Sequence, residues 1–363
     1  MRAIRSNNSQ SFRRHNNDTA GERTRREFIQ ELAAYGVAAF AAGGVGEFAS
    51  AQAGSWKNKI GLELYTVRDL MATDFEGVLA KIAAIGYKEI EPANGYNNMA
   101  PAKFRAMLDR LGLTMPSTHS GATGTGLELE KQLEGFQVMG IKYTEISTGA
   151  PAAARGGAAR PAGPLPPGAY FNPGTGVVHN AFTEAEAFGP YQPPDSSEAV
   201  KRRAAQLNAN GRIAQKFGMK VLVHNHTGEF EKLTDSPRTT YDVLLAETDP
   251  SLVTMQLDIG WTYIAGVDPV ALFKSHPGRF ELWHIKDVFG LKTVSPSLGP
   301  NARTSSMAFA PVGAGQIDFK RVFANASLAG LKHFALEHDN AAAWGDSLAA
   351  AWVSYQNLVR ILA

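Results

Sequence analysis

Acidic residues and histidines recur in short knots along this chain. They are Glu91, His119, Glu145 with Ser147, His224-Asn225-His226 followed by Glu229, Asp258, His284-Ile285-Lys286-Asp287 and Glu337-His338-Asp339. Carboxylates and imidazoles take up and release protons, and do so best when their surroundings bring the pKa near the working pH. Cysteine is absent, so thiolate nucleophiles, disulfides and Cys-ligated zinc are excluded. Proton transfer is open to these residues, provided that one fold gathers the knots.

A repeated junction supplies such a fold. Gly86-Tyr87-Lys88, Gly112-Leu113-Thr114, Gly140-Ile141-Lys142, Gly218-Met219-Lys220 and Gly330-Leu331-Lys332 each follow a helical pattern and precede a short apolar run. Glycine just past a helix adopts the left-handed conformation that closes the last turn. Five copies imply a repeated βα unit. The remaining pattern predicts strands near Ile60–Val67, Lys88–Glu91, Thr114–His119, Tyr143–Ser147, Lys220–His224, Val253–Asp258, Phe280–Lys286 and His333–Glu337. Amphipathic stretches at Phe75–Ile85, Ala102–Leu111, Glu198–Phe217, Val270–His276 and Leu348–Leu362 lie between and after them. Eight such units over residues 55–363 predict an α/β fold, a single-domain (β/α)8 TIM barrel. An open doubly wound sheet is the alternative, and the first strand lacks the Gly-rich phosphate loop expected of one. In a barrel, chemistry sits at the carboxyl ends of the strands, which is where the acidic and imidazole knots fall. Two stretches interrupt the pattern. Residues 149–195 are rich in Ala, Gly and Pro and leave the fourth strand, as either a lid or a solvated loop; residues 288–316 leave the seventh.

These segments also resemble a family. Leu62-Glu63-Leu64-Tyr65-Thr66-Val67-Arg68, Gly86-Tyr87-Lys88-Glu89-Ile90-Glu91, His224-Asn225-His226, Leu257-Asp258-Ile259-Gly260-Trp261, His284-Ile285-Lys286-Asp287 and Leu336-Glu337-His338-Asp339 look like strands of the xylose-isomerase-like sugar isomerases and epimerases. Pro311-Val312-Gly313-Ala314-Gly315-Gln316-Ile317-Asp318-Phe319 is similar to the segment before the family's seventh helix. The resemblance covers about residues 58–363 apart from the two interruptions. It implies one divalent metal (manganese, magnesium, cobalt or zinc) held by His224, Asp258, His284 and Glu337. The family more often has glutamate at the fifth-strand position, so His226 and Glu229 are alternatives to His224. Two carboxylates with one or two imidazoles leave open positions and suit a borderline dication better than calcium.

The same resemblance implies an isomerase or epimerase that moves a proton next to a carbonyl of a carbohydrate, with the metal polarising the substrate oxygens. Glu337, Glu145, His119 and His226 are the candidates for the proton transfers. Glu91, Lys286, Trp261 and Glu229 are candidates for holding substrate. Lys286 shares a face with His284, so it either binds a substrate oxygen or holds a carboxylate. Trp261, Tyr263, Trp283 and Tyr65 lie beside the rim residues as sugar-stacking or core aromatics, with Trp283 turned to the helices. The same parts would serve a lyase or dehydratase acting on keto-sugars or keto-glycosides. A non-catalytic sugar-binding barrel is a third reading. Endonuclease IV-type DNA repair enzymes share the barrel. They need more histidine ligands and a basic groove, whereas here Trp261 replaces an expected histidine and the net charge is only +2. No nucleic-acid partner is expected.

Residues 1–54 read as an address. A polar, basic segment ends in Thr24-Arg25-Arg26-Glu27-Phe28-Ile29, which resembles a twin-arginine signal read by an export receptor. An uncharged run from Leu32 to Val45 follows, then small residues at Ala49-Ser50-Ala51-Gln52-Ala53. The run is shorter than the roughly 20 residues of a spanning helix. The expectation is export of a folded, metal-loaded protein to a Gram-negative-type periplasm. It would be tethered to the membrane if the signal is not cleaved.

Overall fold

A computed structural model describes residues 56–93, 95–147, 195–290 and 308–363, and the backbone of Ala169–Asn172 and Val177–Asn180. The export segment expected at 1–54 lies outside the described residues, as does most of the stretch at 149–195, where the two short strands pair antiparallel.

The eight central strands are β1 (Ile60–Glu63), β2 (Glu89–Glu91), β3 (Ser117–Thr123), β4 (Tyr143–Ser147), β5 (Lys220–His224), β6 (Val253–Asp258), β7 (Leu282–Ile285) and β8 (His333–Leu336). All their pairings are parallel: β1 lies between β2 and β8, and the order continues through β7, β6, β5 and β4 to β3. Thr114 closes the ring by donating to Lys88 O and accepting from Ile90 N, both at 2.9 Å. The fold is therefore a (β/α)8 barrel. Its main helices are α1 (Phe75–Ile85), α2 (Pro101–Leu111), α3 (Gly126–Met139), α4 (Ser197–Gln215), α5 (Thr240–Glu247), α6 (Pro269–Ser275), α7 (Phe319–Phe323) and α8 (Ser347–Ile361). Among the described residues, no helix is long and apolar enough to cross a membrane.

Local chemistry sets the element ends. Asp74, Ser196, Thr239, Asp268 and Asp346 cap helices by accepting a backbone N–H of the first turn. All five junction glycines have positive φ, from 67° at Gly112 to 124° at Gly86. Several strand boundaries differ from the sequence reading: β2 and β8 are each a residue shorter, β7 loses two residues at its start and one at its end, and β3 runs on to Thr123. Two of the differences have a local cause. The first strand stops at Glu63 because Leu64–Val67 winds into a 3-10 turn. The third resumes only at Ser117, since Pro116 brings no N–H to the ladder.

Side chains alternate across each strand. Outward residues pack on the helices: Trp283 stacks on Phe273 of α6, with ring centroids 4.9 Å apart, and meets Phe323 of α7 at 5.5 Å. Inside the ring, Tyr143, Leu222 and Leu282 form a small separate apolar cluster. The rest of the buried interior includes Glu63, Glu91, Ser117, Gln256, Asp258, His284, Lys286 and Glu337, against the usual rule that ionisable groups stay at the surface unless paired. That polar interior is the feature to be explained.

Candidate active site

Strand β7 is the axis of the site, because its alternation sends His284 and Lys286 to the same interior face. His284 is fully buried between two carboxylates: Nε2 lies 2.9 Å from Glu91 Oε1, and Nδ1 lies 2.8 Å from Glu337 Oε2. Burial alone would lower the His284 pKa, but Glu91 and Glu337 outweigh it and hold the imidazole well above its ordinary value. Lys286, also buried, lies 3.1 Å from Asp258 Oδ2, 3.1 Å from Glu337 Oε2 and 2.7 Å from Asp339 Oδ2.

Strand β6 ends at Asp258, whose Oδ1 caps the short helix Ile259–Ile264 by accepting from Trp261 N at 2.8 Å. The cap fixes the carboxylate and leaves Oδ2 for the interior. Asp258 Oδ2, His284 Nδ1 and Glu337 Oε2 all lie within 4.8 Å of one another. Each is buried without a well-formed hydrogen bond, despite the neighbouring ammonium. Two carboxylate oxygens and one imidazole nitrogen, converging with one another and the Lys286 ammonium for near polar company, fit a divalent metal of the zinc or manganese type. On β5, His224 turns towards this group, with Nε2 4.0 Å from Asp258 Oδ2. The two alternatives on that loop point differently. Glu229 Oε2 accepts from His226 N at 2.8 Å, so this carboxylate fastens its own loop. The His226 ring packs 4.9 Å from His224 and 5.6 Å from Trp261.

Glu91 was expected to meet substrate, but its position is deeper. Its carboxylate accepts from Gln256 Nε2 at 2.8 and 2.9 Å, from the Ser117 hydroxyl and from His284, with His119 Nε2 3.0 Å away. Burial would raise its pKa, yet His284 and His119 hold it at about 2. Glu91 thus stands behind His284 as its anchor. Trp261 is likewise fully buried; its ring lies 4.7 Å from Lys286 Nζ and edge-on to Phe309, so it lines the lysine instead of offering a face to a sugar.

His119 stacks on His284 at 4.9 Å and meets the edge of His224 at 4.8 Å. Burial raises the Glu145 carboxyl above its ordinary pKa, with the charge of His119 acting in the opposite sense. Burial, followed by the charge of Lys286, lowers His226 to about 3, and burial also holds His224 well below its ordinary value. The mouth therefore offers neutral imidazoles beside a carboxyl of raised basicity.

Three participants were not singled out from sequence. Gln256 lies two residues before Asp258 and hence on its face, a signal the alternation contained. Glu63, buried at the end of β1, accepts from Tyr65 N at 3.1 Å. Asp339 sits inside a quoted motif, but its pairing with Lys286 had no sequence signal.

Residues 172–353 match the xylose isomerase-like TIM barrel family, half of the chain, and the protein belongs to that family. Among curated relatives, an inosose dehydratase of Clostridium beijerinckii is 32% identical over 133 residues, 35% of this chain and 43% of that protein. The chain thus spans less than half the length of this relative. Among solved structures, a sugar phosphate isomerase/epimerase of Parabacteroides distasonis superposes with a TM-score of 0.57 at 17% identity, covering 84% of this chain and 96% of that one. The IolI protein with a bound zinc atom gives 0.53 at 13% identity, covering 84% and 98%. These two likenesses concern the fold.

Proposed function

We propose that this barrel is a metal-dependent dehydratase, removing a proton beside the carbonyl of a keto-sugar or cyclic keto-polyol and expelling the β-hydroxyl as water. The observation that carries the reading is the buried convergence of one oxygen each from Asp258 and Glu337 with a ring nitrogen of His284, beside the neutral imidazoles of His224 and His226. Asp258, His284 and Glu337, with His224 beside them, would hold the metal, which supplies a positive centre for the substrate's carbonyl and hydroxyl oxygens.

The chain's own groups divide the remaining work. Glu145 on β4 stands across the ring from β8, which leads into Glu337, so a substrate between them would present its C–H to Glu145. A carboxyl raised by burial is the stronger base. The proton passes from carbon to Glu145, the C–H electron pair becomes the new C=C bond, and the β C–O bond breaks. The departing hydroxyl takes up the proton that Glu145 gained and leaves as water. Uncharged His224 and His226 give the hydroxyl groups hydrogen-bond partners without adding charge.

The similarity to inosose dehydratases supports elimination. An isomerase or epimerase is the second reading, favoured by the placing of Glu145 opposite Glu337; there the same carbanion is reprotonated instead of losing hydroxide. The deciding experiment incubates metal-loaded protein with cyclic keto-polyols and ketoses in D2O and follows them by NMR. An unsaturated product with loss of water supports the dehydratase, whereas deuterium uptake at the carbon beside the carbonyl without loss of water supports isomerisation or epimerisation. Neither change in any substrate overturns both. Glu145→Gln is expected to lower turnover by about 10²–10⁴-fold while metal content stays at the native level.

We also propose that residues 1–54 direct export through the twin-arginine route. Secretion of a reporter fused to this segment should stop when Arg25 and Arg26 are both changed to Lys.

A further inference from the structure

Lys286 occupies an unusual position. Its ammonium has three N–H donors and no acceptor, and three carboxylates surround it: Asp258 at 3.1 Å, Glu337 at 3.1 Å and Asp339 at 2.7 Å. The first two distances are to Oδ2 and Oε2, the same oxygens that converge with His284 Nδ1. The protein builds room for this lysine. The Trp261 and Phe309 rings lie 4.7 and 5.4 Å from Nζ. A methyl group on Gly260 would come within 2.8 Å of Lys286 Cβ and 2.9 Å of Cγ, so the absent side chain there admits the stem.

We propose that Lys286 is a resident cation that stands in for the metal. In the metal-free protein its ammonium holds the Asp258 and Glu337 carboxylates together, and Asp339 keeps the ammonium when a metal takes the other two. The physical reason is charge. Two buried carboxylates aimed at one point repel each other strongly in a low-dielectric interior. A metal site that must fold before loading therefore needs an internal cation. That cation must also withdraw without leaving the interior, and Asp339, already its nearest partner, provides the place. Lys286 is thus a positioning residue that sets how tightly metal is held.

The inference rests on the metal site proposed above, and its test reads metal binding instead of turnover. Native protein, Lys286→Met and Asp339→Asn are stripped with a chelator. Zinc and manganese affinities are then measured by competition with a chromogenic chelator, and Tm is recorded with and without metal. Lys286→Met keeps an unbranched stem on Trp261 and removes the competing charge. It should tighten metal binding by roughly tenfold, lower the metal-free Tm, and show a larger rise in Tm on loading than native protein. Asp339→Asn removes the place to which the ammonium withdraws, so it should weaken metal binding. A merely structural lysine gives the opposite sign in the first variant: weaker metal binding together with a lower Tm. That result, or an unchanged affinity in both variants, overturns the inference while leaving the metal site intact. No uptake by native protein overturns the site and the inference together. Should Lys286→Met not fold without metal, the sign of the change in Asp339→Asn decides.

Discussion

Glu91 illustrates how little a residue's identity says about its role. It ends its strand as a carboxylate facing the barrel interior, the position expected of a group that meets substrate, yet His284, Gln256 and Ser117 all donate to it. A carboxylate that holds the far nitrogen of a ligating histidine fixes the ring orientation and the tautomer, and losing such a partner costs about 10–100-fold in metal affinity. Glu91→Gln keeps the shape but loses the charge and brings an amide N–H against Gln256. It is expected to weaken zinc or manganese binding within that range, measured by chelator competition. Unchanged affinity would remove Glu91 from the support of the site. The sequence made Asp258, His284 and Glu337 legible because strand alternation and strand-end position mark them without knowledge of any partner. It could not show that Glu91 meets Gln256, 165 residues away, or that Lys286 settles among three acids. Those pairings depend on where strands lie around the ring, which no local spacing encodes.

At the scale of elements, local chemistry carried much of the fold. Strands β4, β5 and β6 and helix α1 fall on the residues that apolar runs and caps predict. The late start of β3 lies where Pro116 breaks the ladder, and the early end of β1 where the strand turns into a helical turn after Glu63. Gly61 shows the reverse, a residue whose meaning only packing discloses. A methyl group on it would stand 2.6 Å from Phe334 O and 3.3 Å from Glu89 Cβ, so β1 can sit between β2 and β8 only as glycine. Gly61→Ala is therefore expected to destabilise the protein by about 1–3 kcal/mol, the usual cost of overpacking a close-packed interior. Chemical denaturation reads this directly, and a midpoint unchanged from native would show that β1 can shift without cost. Asp287 acts similarly at the end of the β7 segment, where its carboxylate accepts from the backbone N–H groups of Val288, Gly313, Gly315 and Ile317 at 2.9–3.2 Å. One acid thereby ties both ends of the excursion that leaves β7.

For the whole molecule, the buried charges make stability, metal and pH one problem. In the metal-free protein His284 is held above its ordinary pKa, and a histidine so raised adds stability below its unfolded pKa that is lost as pH rises through the folded value. Asp287, which burial raises to about 6 despite its four N–H donors, acts in the same direction at lower pH. Its native carboxyl keeps a proton that the unfolded chain has released, so stability declines between about pH 4 and pH 6. Glu91 and Glu337 are held below their ordinary values and act in the opposite sense, their contribution being lost only in acid. The buried neutral His224, His226 and His338 also act in that opposite sense, losing stability as pH falls below the unfolded histidine value, so the metal-free Tm is expected to peak near neutral pH and fall towards alkaline pH. A metal reverses that slope, because occupying His284 Nδ1 requires the proton there to leave, so affinity rises with pH. Free metal at about 100 times its Kd adds roughly 2.7 kcal/mol to stability. The rise in Tm on loading should thus widen from about pH 6 to about pH 9, and calorimetric titration should show a proton released as metal binds. A metal-induced rise that stays constant across this range would mean that His284 is already unprotonated in the empty site, with the Glu91–His284–Glu337 chain holding no proton to displace.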